Sequence, residues 1–354
     1  MAVPADVENL LAEIVARWST EIKIENISAL TPDASLRRYY RINLRGAAHP
    51  TAVAMVFDSV ASPEHDGGCS VTADVASVEL GRFFGSHGVS VPELYCDARD
   101  PAVLLIEDLG DRPLIGALSP AYGVEGTHIR KKPDALYTDA LEQIRTIQAI
   151  PHVAGFFPFE RKFGASLYFK EMLEFRDFVL MPRRATASLI KIAERTCTQL
   201  AEDLDKLPKA LVHRDFHSWN LLIDAKECLR VIDYQDALLA TRCYDIVALL
   251  NDRDTDAALG APLYAEMLDN FAADFRSRGE FELEYYPVLL QRDLKVAGRF
   301  AKLASQRGLI HYEKWIPGTL RRIGRTLRRL SENSPAYREF SKAVGTIVAE
   351  VSGA

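Results

Sequence analysis

The sequence predicts an α+β fold in two lobes: a small antiparallel sheet first, then a larger and mostly helical part. Three observations carry this. Short apolar runs with a period of two, bounded by turn residues, are concentrated in about the first 110 residues. Apolar residues at steps of three and four dominate from there on. A chain of 354 residues, 48% of them hydrophobic, has enough apolar surface to bury two cores.

The elements follow in order. Asn9 to Trp18 reads as a short amphipathic helix and Ile22 to Leu30 as a strand, closed by the turn residues Thr31, Pro32 and Asp33. Arg38 to Leu44 and Ala52 to Phe57 are two more strands, joined antiparallel by the loop from Gly46 to Pro50. Pro63, Gly67 and Gly68 break the pattern before a helix from Thr72 to Ser86 that carries Val75, Val78, Phe83 and Phe84. Val103 to Ile106 is a compact strand running into Glu107, Asp108, Leu109 and Gly110, and the lobe boundary is placed there, dividing 1–108 from 109–354. Helices are expected from Asp134 to Gln148, from Ser166 to Leu180 and along Leu189, Thr196, Leu200 and Leu204. Four more follow, at Pro262 to Arg276, Tyr286 to Gln306, Lys314 to Leu330 and Ser334 to Val351. In the last but one, Leu320, Ile323, Leu327 and Leu330 make a buried stripe, which puts Arg321, Arg322, Arg325, Arg328 and Arg329 on a solvated face.

A net charge of −6 gives no general attraction for nucleic acid or anionic membrane. The five cysteines are odd in number and without a CxxC pair, which suggests neither a disulfide framework nor a zinc site. Acids at Asp6, Glu8 and Glu13 interrupt the first apolar residues, and no apolar run approaches the roughly twenty residues that span a bilayer. The expectation is a cytoplasmic protein with reduced thiols.

Chemistry-bearing residues are concentrated in two stretches, LVHRDFHSWNLLI from Leu211 and RVIDYQDA from Arg230. Magnesium is a hard cation that takes one or two protein oxygens plus phosphates, and Asn220 and Asp233 are groups of that kind. Asp215, five residues before the asparagine and without a lysine nearby in sequence, suits a base that accepts or orients a hydroxyl proton. Leu221 to Ile223, the turn-like Asp224 to Glu227, and Leu229 to Ile232 read as a hairpin that returns the second carboxylate to the first. The bland alternative is a buried His213 and incidental surface aspartates. Asp245 opens an apolar run at helical spacing, where an acid is ordinarily a cap.

At HRDFHSWN, IDYQDA and YDIVALL the chain resembles the aminoglycoside phosphotransferase and choline kinase superfamily, which shares the protein-kinase fold. DASLRRYYR, LLIEDLGD, KEMLEFRDF and QRDLKVAGRFAKL are similar, more narrowly, to bacterial kinases that phosphorylate the anomeric hydroxyl of N-acetylmuramic acid and N-acetylglucosamine in cell-wall recycling. The resemblance implies ATP and Mg2+ as cofactors, Asp215 as base, Asn220 and Asp233 as metal ligands, and His213 and Asp245 as supports of the catalytic loop. It also implies that Glu107 and Leu109 offer backbone groups to adenine and that Ser35 helps to cover the phosphates.

Two departures stand out. A kinase normally places a lysine on its third strand against the phosphates, yet here Val53, Met55 and Phe57 share that face. The equivalent strand of the sugar-anomeric kinases also lacks it; Arg38 is the expected substitute, and Glu79 is then structural. After Phe57, Asp58 to Pro63 replaces a proline-rich loop. For the acceptor, Glu174 and Arg176 lie in the helix that resembles the sugar-binding region, with Gln235 and Asp236 within reach of sugar hydroxyls; ion pairing within the helix is the alternative. An aminoglycoside or other small-alcohol phosphotransferase, and a catalytically silent nucleotide-binding module, remain open as rival functions.

Overall fold

The computed structural model describes residues 3–30, 37–57, 70–99, 102–123, 128–253, 255–332 and 334–352. In chain order the elements are α1 (Ala5–Trp18), β1 (Lys23–Leu30), β2 (Arg38–Arg45), β3 (Thr51–Val56), α2 (Ala73–Ser86), β4 (Leu94–Arg99), β5 (Ala102–Glu107) and α3 (Pro133–Gln148). Then come α4 (Phe157–Glu160), α5 (Ala165–Phe175), α6 (Ala187–Lys206), β6 (Lys209–Val212), β7 (Leu221–Ile223), β8 (Leu229–Val231), β9 (Leu238–Thr241) and α7 (Tyr244–Asn251). The chain finishes with α8 (Thr255–Ala272), α9 (Arg278–Arg307), α10 (Ile316–Ser331) and α11 (Pro335–Ser352).

They pack as two compact units. The first comprises Met1–Pro63, Cys69–Ile150 and Trp219–Asp236, and the second is built chiefly from Pro151–Ser218 and Ala237–Ala354. The packing therefore does not divide after Asp108, as the sequence reading placed it. The segment through α3, and the β7–β8 hairpin, are hydrogen-bonded into the first unit: Val231 N–H donates to the Ser90 carbonyl and Ile223 N–H to the Arg112 carbonyl, both at 2.8 Å.

In the first unit the strands form one antiparallel sheet in the order β1-β2-β3-β5-β4. The period of two sorts its side chains. Tyr40, Ile42, Leu44, Ala52, Ala54 and Val56 pack with Val7, Leu11, Ile14 and Val15, the helical stripe of α1. Met55, Phe57 and Leu104 face the other way, with Tyr39, and meet Val78 of α2. Leu11 and Ile14 are fully buried, and burying a side chain of that size contributes about 1.5–3 kcal/mol. The sequence reading missed β4: charged Asp97 and Arg99 in a short edge strand hide its alternation.

The second unit holds a two-stranded ladder, β6 with β9, and is otherwise mostly helical. The longest, α9, starts two turns earlier than expected, with the Ser277 hydroxyl accepting from Glu280 N–H at 3.1 Å and Pro287 inside the helix. That proline made the segment before it look non-helical. Where α9 meets α5, a Cβ on Gly298 would lie 2.3 Å from the carbonyl carbon of Glu174, so only glycine permits this approach. The expected helix over Ser166 to Leu180 stops being regular at Phe175 and ends in a wider π turn, Arg176–Leu180. In α10, Leu320, Ile323 and Leu327 are buried as expected, but Arg322 is buried too, paired with Asp293 at 2.8 Å, so the arginines do not all lie on a solvated face. Among the described residues Cys96, Cys197, Cys228 and Cys243 are free thiols, and no helix is long and apolar enough to cross a membrane.

Candidate active site

The second unit carries Asp215. Strand β6 pairs with β9 up to Val212 opposite Leu238, and the chain then turns into His213 and Arg214. Both of their amides donate to the carboxylate of Asp245 in the first turn of α7, His213 N–H to Oδ2 at 2.7 Å and Arg214 N–H to Oδ1 at 3.0 Å. Burial pushes the Asp245 carboxyl up to about 6, against these two amides and the nearby His213. Arg214 has a positive φ of 79°, a conformation unusual for a side chain of this size. Its guanidinium is held by Glu171 at 3.1 Å and lies 5.3 Å from the Phe163 ring centroid. The loop is thus fixed at its backbone and at a side chain before it reaches Asp215.

Burial alone would raise the Asp215 carboxyl, yet Lys295, Arg292, Arg214 and His217 together hold it well below the usual carboxylate range. The lysine absent nearby in sequence is therefore supplied in space by α9. Lys295 and Arg292 are three residues apart and share a helix face; Lys295 Nζ reaches Glu171 Oε1 at 3.1 Å and Arg292 reaches Asp252 at 3.8 Å. Glu171 is buried between Lys295 and Arg214, and both keep it ionised although burial opposes this. Asp215 in this setting is therefore held in its charged form. The sequence held one faint signal, the i, i+3 spacing of two cations within a helix.

The first unit carries Asn220 and Asp233. In the β7–β8 hairpin Leu221 lies opposite Val231, and Ile232 N–H donates to the Asn220 carbonyl at 3.0 Å, which sets the two residues at the open end of one ladder. Asp233 has a positive φ of 66°, which aspartate tolerates better than most. Its Oδ1 accepts from Arg37 Nη2 at 2.5 Å and from Gln235 Nε2 at 3.2 Å. Tyr234 turns inward against Phe84, with ring centroids 5.9 Å apart. Gly81 of α2 makes room for it, since a Cβ there would lie 2.6 Å from the tyrosine hydroxyl. The hairpin is anchored by Arg230, which bonds Glu107 at 2.5 Å, Asp224 at 3.2 Å and the Val91 carbonyl at 2.8 Å. Arg112 binds Glu227 at 2.7 Å from the other side.

The remaining candidates separate. Glu107 N–H donates to the Glu93 carbonyl at 2.8 Å and its side chain is held by Arg230, so the group it has to offer a ligand is its carbonyl. Leu109 is buried, and Ser35 lies outside the described residues. Arg38 faces α1 with Tyr40, to whose hydroxyl it donates at 3.3 Å, whereas Arg37 is the arginine on Asp233. Arg41 is bound by Asp108 and Asp111 at 2.7 and 2.6 Å. Glu79 lies 4.0 Å from Arg82. Glu174 is paired with Arg299 at 2.7 Å and Lys302 at 3.0 Å, and Arg176 with Asp177 and Glu194, each at 2.7 Å. For Arg176 the structure thus has the ion pairing that was the alternative to acceptor binding. Gln235 also donates to Asp236 Oδ2 at 3.0 Å. A cavity of about 410 Å³ beside β4, lined by Tyr95, Asp97, Glu107 and Arg230 among others, includes none of Arg37, Asn220 or Asp233.

Among the described residues no group of three or more His, Cys, Asp and Glu converges as a metal cage. One carboxylate and one amide suit an ion that keeps water and phosphate ligands. That a guanidinium sits on Asp233 at 2.5 Å agrees with a carboxylate placed to take a cation.

Comparisons with known proteins converge on one family. The pattern of the APH phosphotransferase enzyme family matches residues 27–284. The N-acetylmuramate/N-acetylglucosamine kinase of Neisseria meningitidis is 27% identical over 277 residues, covering 73% of this chain and 76% of that one. The kinase of the same name from Pseudomonas aeruginosa is 25% identical over 329 residues, covering 90% and 88%. Two solved structures share the fold. The aminoglycoside phosphotransferase APH(2'')-IIa with streptomycin and ATP superposes with a TM-score of 0.61 at 15% identity, covering 91% of this chain and 97% of that one. Choline kinase LicA of Streptococcus pneumoniae gives 0.59 at 12% identity, covering 93% and 100%. The fold is thus protein-kinase-like, as the sequence implied.

Proposed function

We propose, from the premise that the chain belongs to the phosphotransferase enzyme family and is a small-molecule kinase, that it transfers the γ-phosphate of ATP to the anomeric hydroxyl of an amino sugar. The names of the relatives that are 24–27% identical support the acceptor class. The observation that carries the chemistry is the loop that runs from Asp215, held ionised by Lys295 and Arg292, into the hairpin with Asn220 and Asp233 at its open end.

In this reading Asp215 accepts a hydrogen bond from the acceptor hydroxyl and aims its oxygen at the terminal phosphate. Because Asp215 is a weak base here, the proton leaves late and the loss of charge repulsion does most of the work. Asn220 and Asp233 would hold magnesium, which when bound neutralises phosphate charge. Asp245 keeps the backbone of His213 and Arg214 in place, and so keeps Asp215 pre-positioned, where small displacements are costly. The Glu107 carbonyl and the Leu109 amide would meet adenine, and Ser35 the phosphates. Gln235 and Asp236 are the residues nearest Asp233 in the chain that can reach sugar hydroxyls.

The test is ADP release with N-acetylmuramate, N-acetylglucosamine, kanamycin, choline or no acceptor, with and without magnesium. Magnesium-dependent turnover with an amino sugar, and loss of its reducing end, is the expected result. Turnover confined to kanamycin or choline overturns the acceptor assignment. Nucleotide binding without turnover on any acceptor makes the chain a silent module.

A further inference from the structure

The sheet face that should carry a phosphate-binding cation has none of its own on the third strand: Met55 and Phe57 pack there with Leu104 and Val78. Arg37 stands two residues before Tyr39, which packs on that same face and lies opposite Met55 in the ladder. The Arg37 side chain is only 14% exposed and spans to Asp233, 196 positions further along the chain, at 2.5 Å. A guanidinium so enclosed is held in place by its burial and its bond to Asp233.

Arg37 and a divalent ion would both draw on the charge of the Asp233 carboxylate, which Arg37 meets at Oδ1. A carboxylate oxygen cannot serve a guanidinium and a divalent cation at full strength together, so the two compete. The phosphate oxygens that accompany a metal suit a guanidinium displaced from a carboxylate, because its planar fork matches them.

We propose that Arg37 takes the role of the missing strand lysine, giving up its bond to Asp233 for the phosphates of a nucleoside triphosphate as Asp233 turns to a divalent ion. This rests on the kinase reading above. Arg37 is then at once a phosphate ligand and a placeholder that keeps Asp233 oriented. Arg38, on the α1 face, has no part in it.

The competition makes two effects run in opposite directions, which a structural role would not do. In Arg37→Met, ATP should bind at least about tenfold more weakly, the worth of one charge-assisted contact, while adenosine binding stays the same. Mn2+ alone, titrated into the nucleotide-free protein and read by electron paramagnetic resonance, should bind several-fold more tightly because its competitor is gone. Arg37→Lys should restore most of the ATP affinity and also serves if the methionine variant does not fold. Unchanged ATP affinity in Arg37→Met overturns the proposal, as does parallel weakening of ATP and Mn2+. Failure of the wild-type protein to bind ATP overturns the kinase reading itself, a result distinct from either.

Discussion

The surroundings of Asp215 in one unit and of Asp233 in the other are built on opposite principles. Asp215 in the second unit sits among buried charges, where Glu171 pairs with Lys295 and Arg214, Arg292 lies 3.8 Å from Asp252, and the backbone is clamped by Asp245. Asp233 in the first unit is 31% exposed at its side chain and held by a single guanidinium and a glutamine amide. A network of mutually paired buried charges is rigid and costly to open; one ion pair at an accessible carboxylate can be exchanged. Under the proposed function, the difference teaches that the group which must stay aimed is fixed, while the group which must take up a ligand is lightly held.

The comparison can be broken most directly at Asp215. Asp215→Asn should lower kcat on the order of 10³-fold with ATP affinity little changed, as measured by steady-state kinetics and calorimetry. A variant with near-normal turnover removes Asp215 from its role. Next, Asp245→Ala leaves two buried amides without acceptors and should destabilise the protein by about 2–5 kcal/mol, read by urea unfolding. Rigidity of that half is not owed to Asp245 if the loss is negligible.

Lys295→Met should cost somewhat less, about 1–3 kcal/mol, because Glu171 keeps Arg214. It also sharpens the comparison through pH. Asp215 lies below the ordinary carboxylate value in the folded protein, so in the wild type it gives no acid limb to kcat/KM above that value; without Lys295 the limb should move to higher pH. The smallest effect is in the first unit, where Arg112 and the amides of Lys131 and Arg130 hold Glu227 down at about 2. A folded value below the ordinary 4.5 stabilises above pH 4.5 and is lost as pH falls toward 2. Glu227→Gln should therefore lower Tm slightly at neutral pH, with the gap to wild type closing under acid.

What could be read in the sequence was local. HRDFHSWN and IDYQDA place Asp215, Asn220 and Asp233 within a span of nineteen residues, and the hairpin between them follows from alternation and turn residues. The partners of these groups could not be read. Arg37, Glu171, Arg292 and Lys295 come from remote segments, and although these lie in stretches that carry the family resemblance, nothing local says which groups they meet. Arg322 deceived for the same reason: at its position the helical pattern gives a surface arginine, and only Asp293 from another helix makes a core position of it. The edge strand β4 and the start of α9 were lost to charges and to a proline, which weaken local signals without changing the tertiary outcome.

The way the chain threads its two units has an evolutionary side. It leaves the first unit after Ile150, comes back at Trp219 and departs for good at Asp236. No single cut of the gene can deliver the sheet together with its hairpin, so neither unit can be traded between proteins as a ready-made module; divergence in this architecture has to proceed by substitution and by changes in loops, with both units inherited as one.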